Sequence, residues 1–277
     1  MSLLLFSELT IREAQRRHIL LVALIMGFAY LVLFAVGFHY VYLQMQRDGV
    51  SVPQGEMITG FLLTAGLYAA NLLVTIIAVL VSVTTISGEI DSHTIETLIT
   101  KPVRRWEVVL GKWLAFAVLL IIYIFFLAGG LMLYVYLRTG FLFHNVGLGL
   151  GIMILQALII LSLTIAGGTR LSTLANGVLA FTLYAIAFMG GWIEQIGALF
   201  RNEAAVDIGI VTSLIMPSEI LWKKALTLFQ PTMASMPFSA GPFAVASQPS
   251  DLMITYGLIY MLAFLLFAMW SFSRRDL

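Results

Sequence analysis

Between Ile86 and Lys112 the chain carries Glu89, Asp91, Glu96, Lys101, Arg104, Arg105, Glu107 and Lys112, while the stretches on either side are almost pure hydrocarbon. The pair Gly111-Lys112 invites comparison with a phosphate-binding loop, but Trp113 follows it where Ser or Thr is needed, and Trp106 stands in place of the first glycine. The chain therefore carries no ATP-hydrolysing loop of its own. His18, His39, His93 and His144 fall in four separate regions without His-Glu-x-x-His spacing, which argues against a zinc protease. With no cysteine, disulfides, thiolate catalysis and Cys-based metal sites are excluded, and no Ser/His/Asp grouping can be argued from spacing. What the charged stretch can do is dock. Asp91 or Ser92 can accept from free backbone N–H groups and cap a short helix. Pro102 disfavours helix at Lys101 and closes it after about two turns. Within it Ile95, Leu98 and Ile99 recur at i, i+3 and i+4, so one face is apolar while Glu96, Thr97 and Thr100 point elsewhere. Arg104, Arg105, Trp106 and Lys112 then form a basic and aromatic cluster of the kind found where a span leaves the bilayer on the cytoplasmic side.

The elements that must hold this loop are membrane spans. A chain of 277 residues that is 61% hydrophobic and 10% charged, with mean hydropathy +1.01, lies outside the composition of soluble domains. Six runs free of Asp, Glu, Lys and Arg, namely Ile19–Leu43, Thr59–Ile86, Trp113–Leu137, Gly147–Gly168, Leu174–Ile193 and Leu252–Phe272, each reach the roughly 20 residues needed to cross. Placing the N-terminus in the cytoplasm gives that side Arg12, Arg16, Arg17, Lys101, Arg104, Arg105, Lys112, Arg170, Arg274 and Arg275, ten of the fifteen Lys and Arg. Both ends and the charged loop are then cytoplasmic. The start does not have the form of a cleaved secretory signal, so the first span is expected to be retained. Residues 1–18 read as an amphipathic interfacial helix, although a plain basic anchor serves as well. The outer segment 194–251 is too long for a bare turn. Pro217-Ser218-Glu219 divides it into two short helices that lie on or dip into the outer leaflet, followed by a Pro- and Ser-rich connection. The expected fold is thus an all-α polytopic membrane protein: six transmembrane helices, an N-terminal interfacial helix, a cytoplasmic coupling helix and short outer helices between spans five and six.

The charged loop resembles the first cytoplasmic loop of ABC-2-type permeases, the membrane subunits of ATP-binding-cassette exporters. The matching residues are Glu89, Asp91, Thr94, the helix Ile95 to Thr100, Lys101-Pro102, Arg104, Arg105 and Gly111-Lys112; His93 replaces the family's glycine before the threonine. Within that family it looks most like the permease of the nitrous-oxide-reductase maturation system. The resemblance implies a single transmembrane domain over residues 1–277 that is not an enzyme, with ATP and magnesium held by a partner. It implies two ATPase subunits and a second permease chain, in a homodimer, at the plasma (inner) membrane. It assigns ATPase coupling to Glu89, Asp91, Thr94, Ile95, Leu98, Ile99, Lys101, Pro102 and Arg105. Nucleic acid is not an expected partner, because net charge is only +1 and no dense basic patch occurs.

Two helix faces carry a further signal. In span two Thr64, Tyr68, Asn71, Thr75, Ala78, Ser82 and Thr85 recur at alternating steps of four and three, and in span five the same steps pick out Thr173, Gly177, Ala180, Tyr184, Ala187, Gly191 and Glu194. Lipid contact does not explain an amide at Asn71, so these faces must meet protein or water. Helix packing suffices for span five. For span two, the resemblance implies a place beside the seam between two subunits, so Thr64, Tyr68, Asn71, Thr75, Ser82, Thr85 and Tyr184 are expected to line a translocation path. Gly147-x-x-x-Gly151 and Gly129-Gly130 read as close helix contacts. The spans as delimited hold no charged group, which disfavours an ion-coupled carrier. A stand-alone facilitative carrier or a non-transporting scaffold is the competing class, and it has no use for a capped, apolar-faced helix between two spans.

Overall fold

The computed structural model describes residue 10 and residues 19–91, 105–141, 143–229 and 249–274, with side chains of 19 and 86–91 excluded. Among these residues the chain is all helical: α1 (Ile19–Arg47), α2 (Val52–Asp91), α3 (Arg105–Ile124), a π-helical turn (Phe125–Gly129) leading into α4 (Gly130–Thr139), α5 (Val146–Gly168), α6 (Thr173–Leu199), α7 (Glu203–Ile215), α8 (Ser218–Phe229) and α9 (Leu252–Ser273). Helix is the form that lets a single segment satisfy its own backbone in hydrocarbon. Six helical stretches are long and apolar enough to cross, with α3, the π-turn and α4 making one of them. All six coincide with the six apolar runs of the sequence and extend most of them at one or both ends.

α5 is the hub. Nearly all of its residues from Gly149 to Gly168 are buried, and α2, α3, α8 and α9 pack around it. Polar side chains inside the bundle bond locally: Thr64, Ser82, Thr85, Ser162 and Thr164 each donate to the carbonyl four residues back. Fewer bonds cross between helices, and these fix the assembly. Trp113 Nε1 donates to Ser162 Oγ at 2.9 Å, tying α3 to α5, and Asn176 Nδ2 donates to the Thr164 carbonyl at 2.8 Å, tying α6 to α5. α1 lies at the edge with most of one flank exposed, pinned by the Tyr30 hydroxyl on the Gly66 carbonyl and the Tyr134 hydroxyl on the Ala35 carbonyl.

The small-residue reading holds in part. Gly130 is closely packed, its Cβ position 3.3 Å from Leu31 Cδ1, whereas among the described residues a Cβ on Gly129, Gly147 or Gly151 would meet nothing within 4 Å. Between the last two, Gly149 is the packed one: the Phe229 ring of α8 fills the space its Cβ would take, with Cζ 2.6 Å from that position. An aromatic ring held in a core cannot yield cheaply. Gly149→Ala should therefore destabilise the purified protein by about 1–3 kcal/mol, whereas Gly151→Ala should leave its thermal melt unchanged. Equal melts for the two variants would show that Phe229 is not seated there.

Candidate functional site

α6 and α7 form an antiparallel hairpin. Ala205 faces Gly197, Gly209 faces Glu194 and Thr212 faces Gly190, so α7 runs back along α6 from its outer end. At Met216-Pro217 the chain turns by 105° into α8. α8 then climbs back: Leu221 lies by Leu155, Ile159 and Gly257, while Phe229 lies by Gly149 at the opening of α5. The pair therefore enters and leaves on the same side, a re-entrant turn rather than a seventh crossing. Tyr256 and Tyr260 of α9 hold its tip by donating to the carbonyls of Leu214 and Ile215.

Of the two placements expected for these short helices, lying on the leaflet or dipping into it, the geometry agrees with the second, because α8 is packed into the bundle. Ser218, Glu219, Ile220, Leu221, Trp222, Lys223, Ala225, Leu226 and Phe229 are all buried. The charge-free spans, by contrast, need correction. α6 runs on to Leu199 and carries Glu194, 5% exposed, into the bundle, where it meets Glu219 and Lys223, each 2% exposed. Lys223 Nζ donates to the Gly191 carbonyl at 2.6 Å and to Glu194 Oε2 at 3.3 Å. Only a glycine leaves room here, since a Cβ on Gly191 would fall 3.2 Å from Lys223 Nζ and closer still to Glu219 Cγ. Both oxygens of Glu219 and the hydroxyl of Ser218 lack a hydrogen-bond partner among the described residues. One residue further along, Lys224 pairs with Asp251 at 2.7 Å, and Asp251 is 88% exposed.

The polar stripe of α2 leads to this cluster. Thr64, Asn71, Thr75, Ser82 and Thr85 are buried, and the Tyr68 ring meets Trp222 of α8 edge-on at 5.1 Å. Tyr184 of α6 reaches Thr75, and both Tyr68 and Tyr184 sit close enough to Glu219 to feel its charge. Within the single chain this face is buried against α5, α6 and α8. The α6 periodicity is the buried face as well, from Ala180 through Tyr184, Ala187 and Gly191 to Glu194.

At the other end of the bundle, α2 runs through Glu89 to Asp91. Arg105 opens α3, with Glu107 in its first turn where the helix dipole favours an acid. Thr94, Ile95, Leu98, Ile99, Lys101 and Pro102 lie outside the described residues. Lys112, 4% exposed, donates to the Thr85 carbonyl at 3.0 Å, which ties the two helices that flank the loop. Across the same face Arg170 Nε and the Thr169 hydroxyl bond to Ser271 Oγ of α9. A family model described as ABC-2 family transporter protein matches residues 10–277. No curated protein matches the chain.

Proposed function

Because the chain belongs to the ABC-2 family of transporter proteins, we propose that it is the permease subunit of an ATP-driven exporter, powered by ATPase subunits that dock on loop 87–112. The family match and the six spans make it a polytopic membrane protein of a transport family. The feature that carries the finer reading is the loop's sequence, Ile95, Leu98 and Ile99 at helical spacing between Asp91 and Pro102, together with the Lys112 bond that ties the two helices flanking it. In this reading two ATPase subunits hold ATP and magnesium, two copies of the chain form a homodimer in the plasma (inner) membrane, and both termini are cytoplasmic. The route follows the polar line Thr64, Tyr68, Asn71, Thr75, Ser82 and Thr85 with Tyr184, inside the bundle and beneath the re-entrant turn. The likeness of the loop to the nitrous-oxide-reductase maturation permease is what supports assigning the chain to that system.

A stand-alone carrier draws support from one observation, the buried Glu194, Lys223 and Glu219, since ionisable groups within a membrane bundle commonly mark an ion path. Two measurements separate the readings. Co-expressed with an ATPase subunit encoded beside it, the full chain should be retained with that subunit through purification, and a stand-alone carrier would emerge alone. The chain has no cysteine, so single cysteines at Ser2, Lys101, Gln230 and Ser273 can be labelled in intact cells with a membrane-impermeant thiol reagent. Only Gln230 should react; labelling at Lys101 would put the loop outside and remove the ATPase.

A further inference from the structure

We propose that Glu219 is a proton-binding site: its carboxyl is neutral while the re-entrant turn is seated, and it releases its proton to the outer side when the turn lifts. This holds whether or not an ATPase docks on the opposite face. The argument starts from charge. Two carboxylates, Glu194 and Glu219, share one ammonium, Lys223, in a region excluded from solvent. Lys223 spends its contacts on Glu194 and the Gly191 carbonyl. Glu219 is left with no donor to either oxygen. A buried carboxylate without hydrogen bonds is among the most costly groups a fold can hold, and it is relieved by taking a proton.

Among the described residues no other group supplies the missing positive charge. From α2 the neighbour is Tyr68, and from α6 they are Tyr184 and Glu194, none of which is a cation. The α5 sequence contains no titratable residue. On α7, Glu203 and Asp207 are exposed. On α9, Tyr256 and Tyr260 are committed to backbone carbonyls and Asp251 to Lys224. Close packing also disfavours a metal ion, because the Glu219 methylene already fills the space beside Gly191. The release step is the dissociation of one carboxylic acid into a carboxylate and a proton passed to water. The exposed Asp251, paired with Lys224 five residues along α8 from Glu219, marks the side on which the proton would leave.

The sign follows from linkage. The seated turn binds one proton more than the lifted turn, in which the carboxyl is hydrated and titrates as an ordinary glutamate. Raising pH therefore favours lifting. The test places the full-length chain in lipid nanodiscs with Ser218→Cys, a buried position on the turn, and follows its modification by an impermeant thiol reagent as pH is raised. Corrected for thiolate fraction, the rate should climb by up to about tenfold per pH unit above the ordinary glutamate range and then level. In a Glu219→Gln background it should be flat. Infrared difference spectra of the chain with its native Ser218 should show a protonated carboxyl that disappears with Glu219→Gln and survives Glu194→Gln. A flat profile without the Gln substitution overturns the proposal without recourse to any Glu219 variant. So does a profile that shifts when sodium replaces choline at constant pH, since the occupant would then be a metal cation.

Discussion

Lys223→Met should unseat the re-entrant turn, at a cost of about 3–5 kcal/mol, because it strips the counter-ion from a buried carboxylate that cannot reach water. Glu194 would lose its partner at 3.3 Å and the Gly191 carbonyl its donor at 2.6 Å, with Glu219 still beside them. The neighbouring lysine is the internal control. Lys224 makes a shorter ion pair, 2.7 Å to Asp251, but that partner is 88% exposed. Exposed pairs contribute about 0–1 kcal/mol whatever their length, so Lys224→Met should barely move the melt of the purified chain. If burial sets the cost, the double variant Glu194→Gln/Lys223→Met should recover most of what Lys223→Met loses, since it removes both charges together. Equal melts for Lys223→Met and Lys224→Met would mean that the cluster is hydrated, and the charge argument for Glu219 would fall with it.

The six crossings were legible because hydrocarbon thickness demands long apolar runs, and nothing else in a chain of this composition produces them. The helical period was equally legible: the steps of four and three through Ala180, Tyr184, Ala187, Gly191 and Glu194 are the buried face of α6. What periodicity does not carry is the identity of the partner. A polar stripe facing its own bundle and one facing a second subunit have the same spacing, and within the single chain Thr64, Asn71, Thr75, Ser82 and Thr85 are buried. Glycine spacing misled for a related reason. Gly147 and Gly151 share a face, yet the residue beneath Phe229 is Gly149, and only the position of α8 reveals it. The charge cluster beneath the turn was not legible. Glu219 and Lys223 look solvated in sequence because the group that makes Lys223 tolerable in the core, Glu194, lies 29 residues away.

Leu98→Asp, and with it Ile95→Asp, should abolish retention of the chain by its ATPase while leaving membrane insertion intact. The apolar face of the loop helix is only Ile95, Leu98 and Ile99, so each side chain is a large share of what it can offer a groove. An aspartate there would have to be desolvated without a partner, and loss of a central apolar anchor costs 2 kcal/mol or more, roughly a thirtyfold weakening. Thr97 lies on the opposite face of the same helix. Thr97→Asp therefore introduces the same charge at almost the same place and should leave co-purification near the level of the unsubstituted chain. The contrast between faces carries the test, because a general effect of negative charge near Lys101, Arg104 and Arg105 would weaken all three variants alike. A loop that merely links α2 to α3 would tolerate all three. Full retention of Leu98→Asp with the ATPase would remove the docking helix from the reading and leave the stand-alone carrier, with its buried Glu194, Lys223 and Glu219, as the better account of the chain.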